Sequence, residues 1–242
     1  MANNKAFIRY ANNKAVPGSL IVRKKAPSVG TWKEVNYDLC CDDVCPQPTP
    51  FCMENWAFEN FDGTTFRNGD AIPEVQDPIE WSALTTPAWC YYGNDPLNGQ
   101  IYGKLYNWYA VNDPRGLAPI GWRVPTNNDW TTLINCLGGQ SIAGGKMKST
   151  GSLENNDGLW NSPNTGATNE SGFSGFPGGL RIPTIFGDFS YINSFGYWWS
   201  STESNLNSFD AWYIELTYTD DILQIFPQSK YAGFSVRLIK DI

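Results

Sequence analysis

Hydrophobic and polar residues alternate with a period of two at both ends of this chain and take a helical spacing between them. Near the start, Phe7-Ile8-Arg9-Tyr10, Ser19-Leu20-Ile21-Val22-Arg23 and Thr31-Trp32-Lys33-Glu34-Val35 read as short strands. Asn12-Asn13, Pro17-Gly18 and Val29-Gly30 supply the turns between them. Asp77-Pro78-Ile79-Glu80-Trp81 offers an N-cap, a Pro at the first helical position and an acid in the first turn, which predicts a short helix. Ile101, Leu105 and Tyr109, with Tyr102 and Tyr106 alongside, recur at helical spacing up to Val111. Thr126 caps a further helix from Asn127 to Leu137, with Asp129 near its third position and Gly138-Gly139 as its stop. Beyond Gly138 the pattern predicts no long helix. Trp212-Tyr213-Ile214-Glu215-Leu216 and Ile222-Leu223-Gln224-Ile225-Phe226 flank Thr219-Asp220-Asp221 as a hairpin. Phe234-Ser235-Val236-Arg237-Leu238 reads as a final alternating strand, and no repeat of solenoid period occurs. The expected class is α+β.

Composition narrows this further. Aromatics make up 15% of the 242 residues and charged residues only 17%, so there is ample apolar surface to bury and a disordered chain is excluded. The 23 Gly and 16 Pro favour short strands and many turns over a helical bundle. A net charge of −7 argues against a phosphate backbone as partner, because such binding runs on Lys and Arg; it also keeps the chain soluble.

Histidine is absent, which excludes Ser-His-Asp and Cys-His catalysis, His-ligated zinc and an imidazole switch. Of the six cysteines, Cys40, Cys41, Cys45 and Cys52 crowd together and raise a zinc reading. Their spacing is not the repeated Cys-x-x-Cys of a knuckle, which favours a local disulfide or plain buried thiols. Cys136, inside a predicted helix, reads as a small core residue.

Residues 1–38 differ in texture from the rest. Arg9, Lys14, Arg23, Lys24, Lys25 and Lys33 make them basic, and three short strands are too few for a core of their own. They are expected to act as an anchor that joins a partner. Residues 39–50 form a Cys- and Pro-rich linker ending in Cys45-Pro46-Gln47-Pro48-Thr49-Pro50, and residues 51–242 form the main domain. Met1 to Tyr10 lacks the apolar run of a secretory signal, and no stretch has bilayer-spanning length. The expectation is a chain that stays in the cytoplasm where it is made, unless it leaves by lysis or inside a particle.

Five strings recur in a telling order: Gly121-Trp122-Arg123-Val124-Pro125-Thr126, Trp160 through Phe173, Phe176-Pro177-Gly178-Gly179, Tyr197-Trp198-Trp199-Ser200-Ser201-Thr202-Glu203 and Gly233-Phe234-Ser235-Val236-Arg237. With Tyr102 through Val111, they make residues from about Trp56 to Asp241 resemble the Fibrobacter succinogenes major paralogous domain, a branch of the C-type lectin-like fold. The resemblance implies an α+β, C-type lectin-like domain with two or three short helices and turn-linked antiparallel strands, here preceded by a small β-rich N-terminal anchor. Family members are mostly secreted or surface-anchored, and fold transfers more safely than function. Ala118 stands where relatives often carry Cys, so the resemblance implies that Cys90 has lost a disulfide partner. That loss and the lack of an export signal fit assembly in a reducing cytoplasm. The Arg-x-Pro-Thr and Gly-Phe-x-x-Arg strings also resemble, more distantly, formylglycine-generating enzymes. That chemistry needs a reactive cysteine pair late in the fold, and no Cys follows Cys136. No enzyme is expected.

The aromatics divide into scaffold and candidate site. Trp108, Trp122, Trp130 and Trp198 lie in matched strings and are expected in the core. Tyr191, Phe195, Tyr197, Trp212, Tyr213, Tyr218 and Tyr231 fall in or beside the late loops, which form the ligand face in C-type lectin-like domains. Flat rings with a polar edge suit a glycan or protein ligand. Asn161, Asn164, Asn169, Glu170 and Asp188 offer oxygens to calcium, but Asn also builds turns by capping its own backbone, and the lectin carboxylates are missing. No metal and no cofactor are expected. The reading is a non-enzymatic bacteriophage virion protein, a head fibre or tail decoration, joined to other virion proteins through residues 1–38. It is expected to form a homo-oligomer, with a trimer first, to bind no nucleic acid and not to insert into a membrane. The alternative is a bacterial cell-surface adhesin or interaction module.

Overall fold

A computed structural model describes the backbone of residues 21–25 and 32–36, and residues 52–184, 186 and 188–241 in full. The strand expected at Phe7–Tyr10, the Pro-rich linker and Cys40, Cys41 and Cys45 lie outside the described residues. The chain divides into two units, Met1–Thr49 and Pro50–Ile242. In the first, β1 (Ile21–Lys25) pairs antiparallel with β2 (Trp32–Asn36), each shifted by one or two residues from its expected place.

The second unit is α+β, built from five short helices and small antiparallel sheets. Among the described residues no helix is long and apolar enough to cross a membrane. Its ends meet: β3 (Trp56–Asn60) lies antiparallel beside β12 (Arg237–Lys240), whose other edge takes β6 (Trp122–Arg123). Between them run α1 (Pro78–Ala83), β4 (Trp89–Cys90), α2 (Pro96–Tyr102), β5 (Leu105–Tyr106), α3 (Trp108–Val111), α4 (Asn127–Cys136) and α5 (Gln140–Met147). The ribbon β7 (Gly178–Arg181) with β8 (Phe189–Ile192) precedes the antiparallel sheet β9 (Phe195–Glu203), β10 (Asp210–Thr217) and β11 (Gln224–Ser229). The returning segment before β12 ties the sheets together. Phe234 exchanges backbone hydrogen bonds with Tyr106, Gly233 does so with Arg181, and the Ser235 carbonyl accepts from Trp199 N–H.

Local chemistry sets the helix starts. Asp77 Oδ1 accepts from Glu80 N–H at 2.8 Å ahead of Pro78. Thr126 and Asp129 form the expected capping box, and Arg123 forks onto the Asp129 carboxylate at 2.6 and 2.8 Å. These bonds, Arg123 first, hold the Asp129 carboxyl down at about 2, against the opposing effect of burial. Because the folded value lies below the unfolded one, this contribution is complete above about pH 4 and is lost as pH falls through 2. Melting temperature should therefore fall more steeply between pH 4 and pH 2 in the parent protein than in Asp129→Asn. Parallel profiles would remove the ion pair from the account.

One helix expectation needs correction. The run from Ile101 to Val111 is not one helix: Gly103, at φ 77°, ends α2, β5 follows, and Asn107 caps α3. Tyr102, Leu105, Tyr106 and Trp108 are buried on elements of different kinds, so their helical spacing reflects all-round burial rather than one face. Beyond Gly138 the described residues hold no long helix, only the eight-residue α5, which Gly144-Gly145 concealed. A Cβ at Gly145 would come within 2.3 Å of the Gly166 carbonyl, so the glycine serves a close backbone approach.

β9 and β10 are buried on both faces, which explains the unbroken run Tyr197-Trp198-Trp199. Tyr197, Trp199 and Tyr213 pack round Phe234 on one side. Trp198, Ile214 and Leu216 pack with Trp56, Trp130 and Phe173 on the other. Trp108, Trp130 and Trp198 are core as expected, while Trp122 is only half-buried. Short strands leave many carbonyls without ladder partners, and the large side chains supply donors. The indoles of Trp81, Trp89, Trp108, Trp160 and Trp199 donate to the carbonyls of Tyr231, Ile72, Ser200, Gly175 and Tyr106. Buried cations do the same while lying on aromatic rings. Lys148 donates to the carbonyls of Thr165, Thr217 and Asp220 beside Trp160, and Arg181 donates to Val75 and Gln76 beside Trp81.

The cysteines also need correction. Cys136 is not a core thiol, and Cys52 belongs to no local disulfide: the two are bonded to each other across 84 positions. The pairing is tertiary, set by β3 and α4 packing Trp56 against Trp130 with ring centroids 4.6 Å apart. Cys90 is a free, buried thiol whose pKa burial pushes up to about 12, which keeps it inert.

Candidate aromatic ligand face

Cross-strand register assembles four of the seven expected site residues and separates three. Side chains alternate across a strand, so Phe195, Tyr197 and Trp199 of β9 share a face with Tyr213 and Glu215 of β10. Opposite them on β11 stand Phe226, paired with Tyr213, and Gln224, paired with Glu215. Tyr191 adds the first ring, 5.1 Å from Phe195 between centroids. Phe195 stacks on Tyr197 at 5.8 Å, Tyr197 meets Tyr213 at 5.8 Å, and Tyr213 meets Phe226 at 6.2 Å. The result is a continuous ladder of five rings. Its ends are open, with Tyr191 53% and Phe226 41% exposed, whereas its middle is closed, with Tyr197 at 5% and Tyr213 at 7%.

Tyr197 and Tyr213 are therefore not freely displayed rings. Their rings pack on Phe234, and they form the floor on which the outer rings stand. Trp212 has the opposite parity to Tyr213 and points to the other side of the sheet, half-buried. Tyr218 packs beside the Trp198–Leu216 side of the core. Tyr231 stands apart, its ring against Tyr109 at 5.5 Å and its carbonyl held by Trp81.

The open end at Tyr191 is held rigidly. Tyr191 sits at φ 67° and Asn193 at φ 65°, conformations that disfavour side chains bearing a Cβ. Asn193 Nδ2 donates to the Leu159 carbonyl at 2.9 Å and the Tyr102 hydroxyl at 3.0 Å, its N–H to Pro177, and its carbonyl accepts from Asn161. Strain persists only where surroundings over-determine it, and such positions cluster at recognition sites.

Glu215 is the polar centre of the face. Its Oε2 accepts from the Tyr213 hydroxyl at 3.3 Å, and it lies across the strand from Tyr197. Burial raises its carboxyl above the ordinary value, Tyr213 partly offsets this, and Asp220 adds to it. Burial, with the Glu215 charge next, likewise raises the Tyr197 and Tyr213 phenols, so both remain hydroxyl donors at neutral pH.

The residues weighed for calcium build turns. Asn164 and Asn169 sit at φ 46° and 49°. Asn164 Nδ2 donates to the Ser149 and Gly151 carbonyls, and Asn169 Oδ1 accepts from Ser174 N–H. Among the described residues no group of three His, Cys, Asp or Glu converges for a metal. Two clefts lie away from the ladder. One of about 560 Å³ is lined by Phe61, Phe66, Leu117, Pro119 and Ile120, and one of about 310 Å³ borders the Cys52–Cys136 bond. The ladder is open to solvent chiefly at its outer rings, Tyr191 and Phe226, and closed between them.

The model of the Fibrobacter succinogenes major domain matches residues 53–240 of this chain. No curated protein and no solved structure matches it.

Proposed function

The chain belongs to the Fibrobacter succinogenes major domain family, and on that premise we propose that residues 51–242 form a C-type lectin-like domain that recognises a ligand without chemistry. The ring ladder carries this reading: large flat side chains, rigidly presented, converge on one face of the β9–β11 sheet. The pairing of β3 with β12, which brings the domain's ends together and leaves the long loops to one another, supports the lectin-like reading. Cys90 is buried as a protonated thiol, and there is no imidazole to activate a hydroxyl, which supports a binding role. The domain serves as a virion surface protein, a head fibre or tail decoration, held to other virion proteins through residues 1–38 and assembled as a homo-oligomer, a trimer first. A bacterial surface adhesin is the second reading, favoured by the Cys52–Cys136 bond, since disulfides persist outside the reducing cytoplasm. Electron microscopy of particles labelled against this chain separates the two.

Ligand binding and stability should separate along the ladder. Phe226→Ala and Tyr191→Ala should leave stability within about 1 kcal/mol, because both rings are open to solvent. Both should abolish ligand capture on an array of glycans and host-surface proteins. Tyr213→Ala should instead lower stability by roughly 3–5 kcal/mol, as a buried ring does. Undiminished capture by both outer variants would remove the ladder as the site.

A further inference from the structure

We propose that the cleft between the 64–72 hairpin and the 113–121 loop binds a small apolar carboxylic acid. The carboxylate meets Arg67, and the aryl or alkyl body lies against Phe61, Pro119 and Ile120. This cleft shares no residue with the ring ladder and is a separate site.

Backbone hydrogen bonds build it. Thr65 bridges Ala71, Phe66 N–H donates to the Asp70 carbonyl, and Gly69 N–H donates to the Phe66 carbonyl to close the turn. Arg67 N–H then donates to the Gly116 carbonyl at 2.8 Å, which seats the hairpin on the facing loop. The space between them is about 560 Å³, a volume inside the roughly 300–1,000 Å³ range of small-molecule sites.

Solvent reaches this cleft, as it does not reach the middle of the ladder. Ile120 is 84% exposed, Arg67 and Pro119 are exposed, and Phe61 is half-buried. The buried Phe66 and Leu117 back them. The Ile120 side chain leaves water only when something apolar covers it, and that burial favours a complex.

Arg67 gives the cleft its sign. Its Nε donates to the Ala118 carbonyl at 3.0 Å and its Nη2 to the Trp122 carbonyl at 2.9 Å, so the side chain is fixed before a ligand arrives. Nη1 has no partner among the described residues. Asp70 on the hairpin and Asp113 on the facing loop are both held by Arg115, whose guanidinium lies 4.0 Å from the Phe66 centroid. Arg67 therefore has no carboxylate of its own, and no Asp or Glu among the described residues lines the cleft. The N–H groups left on Nη1 and Nη2 form the fork that meets a carboxylate's two oxygens. A fixed cation beside apolar walls selects an acid with an apolar body. A polyhydroxyl acid would leave hydroxyls unpaired against Phe61 and Ile120.

The test is an NMR titration of the full chain with phenylbutyrate, its neutral amide and phenylbutylamine. The acid should bind roughly tenfold or more tightly than the amide, and the amine more weakly than either. Shifts should concentrate on the Gly63 and Gly69 amides, which line the cleft. Arg67→Gln should bring the acid down to the affinity of the amide, whereas Arg67→Lys should keep a preference for the acid. Ile120→Ser, at an exposed position, should weaken acid and amide alike and gives the reading if Arg67→Gln unfolds. Glucuronate, an acid on a polar ring, should bind roughly tenfold more weakly than phenylbutyrate. Equal binding of acid and amide, or an acid preference that survives Arg67→Gln, overturns the role of Arg67. Glucuronate binding as tight as phenylbutyrate overturns the apolar class. The site itself falls if the acid shows no saturable binding, if shifts avoid Gly63 and Gly69, or if binding ignores Ile120→Ser.

Discussion

Replacing Cys52 and Cys136 together by Ser is expected to lower the stability of the main domain by about 2–5 kcal/mol. The bond closes a loop across 84 positions. In the chain-entropy account, a loop of that length restricts the unfolded state by about 4–5 kcal/mol, and measured losses run somewhat lower. For a domain of this size each kcal/mol shifts the melting temperature by roughly 2–4 °C, so a fall of about 4–20 °C should follow. The bond also holds local structure. Cys52 stands four positions before Trp56, Cys136 ends α4, and Trp56 packs on Trp130 of that helix. Without the bond the β3 entry can fray and expose Trp56. Urea denaturation with and without reductant checks this, and the reduced form should also show the larger dependence on urea, because its unfolded chain exposes more surface. Identical curves in both conditions, with the bond confirmed by mass, would show that noncovalent packing alone fixes these ends. Both cysteines are half-buried, so reductant can reach the bond in the folded state, whereas Cys90 should stay unmodified until unfolding.

The bond also marks where sequence reasoning stopped. Thr126 with Asp129, and Asp77 with Pro78, could be read directly because a helix cap is a contact between residues three positions apart. The hairpin of β10 and β11 was legible for the same reason, a turn signal between two alternating runs. Cys52 with Cys136 was not, because nothing local brings them together. Gly144 and Gly145 hid α5, since they are present for contacts with Gly166, Asp221 and Ile222 rather than for the helix itself. The site shows the same division. Rings at Tyr191, Phe195, Tyr197 and Tyr213 were visible as aromatics near late turns. Which parity of β10 faced the ladder was not visible, because both faces of β10 are largely buried and Trp212 looked as eligible as Tyr213. Glu215 and Phe226 were missed altogether. Their signal is the alternation Tyr213-x-Glu215 set against Gln224-x-Phe226, and it carries meaning only once the register is known.

Arg237→Met should be among the most damaging single substitutions in the domain, at roughly 3–5 kcal/mol. Arg237 closes the Gly233-Phe234-Ser235-Val236-Arg237 string and is almost wholly buried. One guanidinium nitrogen donates to the carbonyls of Ala57 at 3.1 Å and Phe173 at 2.9 Å, and another donates to Asn60 Oδ1 at 3.0 Å. Its plane lies 4.1 Å from the Phe173 ring centroid. Asn60 Oδ1 also accepts from the Trp198 indole, so a single guanidinium links β3, β9, β12 and the turn at Phe173. Met keeps much of the stem's packing but cannot donate, leaving acceptors that each cost about 1–3 kcal/mol when buried without a partner. An opposing effect limits the loss. Burial pushes the arginine down to about 9, with Glu59 pulling the other way, so the charge is itself held at a cost that Met removes. Two carbonyls left without this donor, with Asn60 Oδ1 keeping only the Trp198 indole, against one desolvated cation still favour the arginine. Lysine should not rescue it, because one ammonium on a flexible stem cannot span the acceptors that the planar fork meets. Denaturation of Arg237→Met and Arg237→Lys against the parent protein tests the balance. Parent-like stability in Arg237→Met would mean that desolvation cancels the hydrogen bonds, and that buried cations in this loop-rich domain do not hold its carbonyls in place.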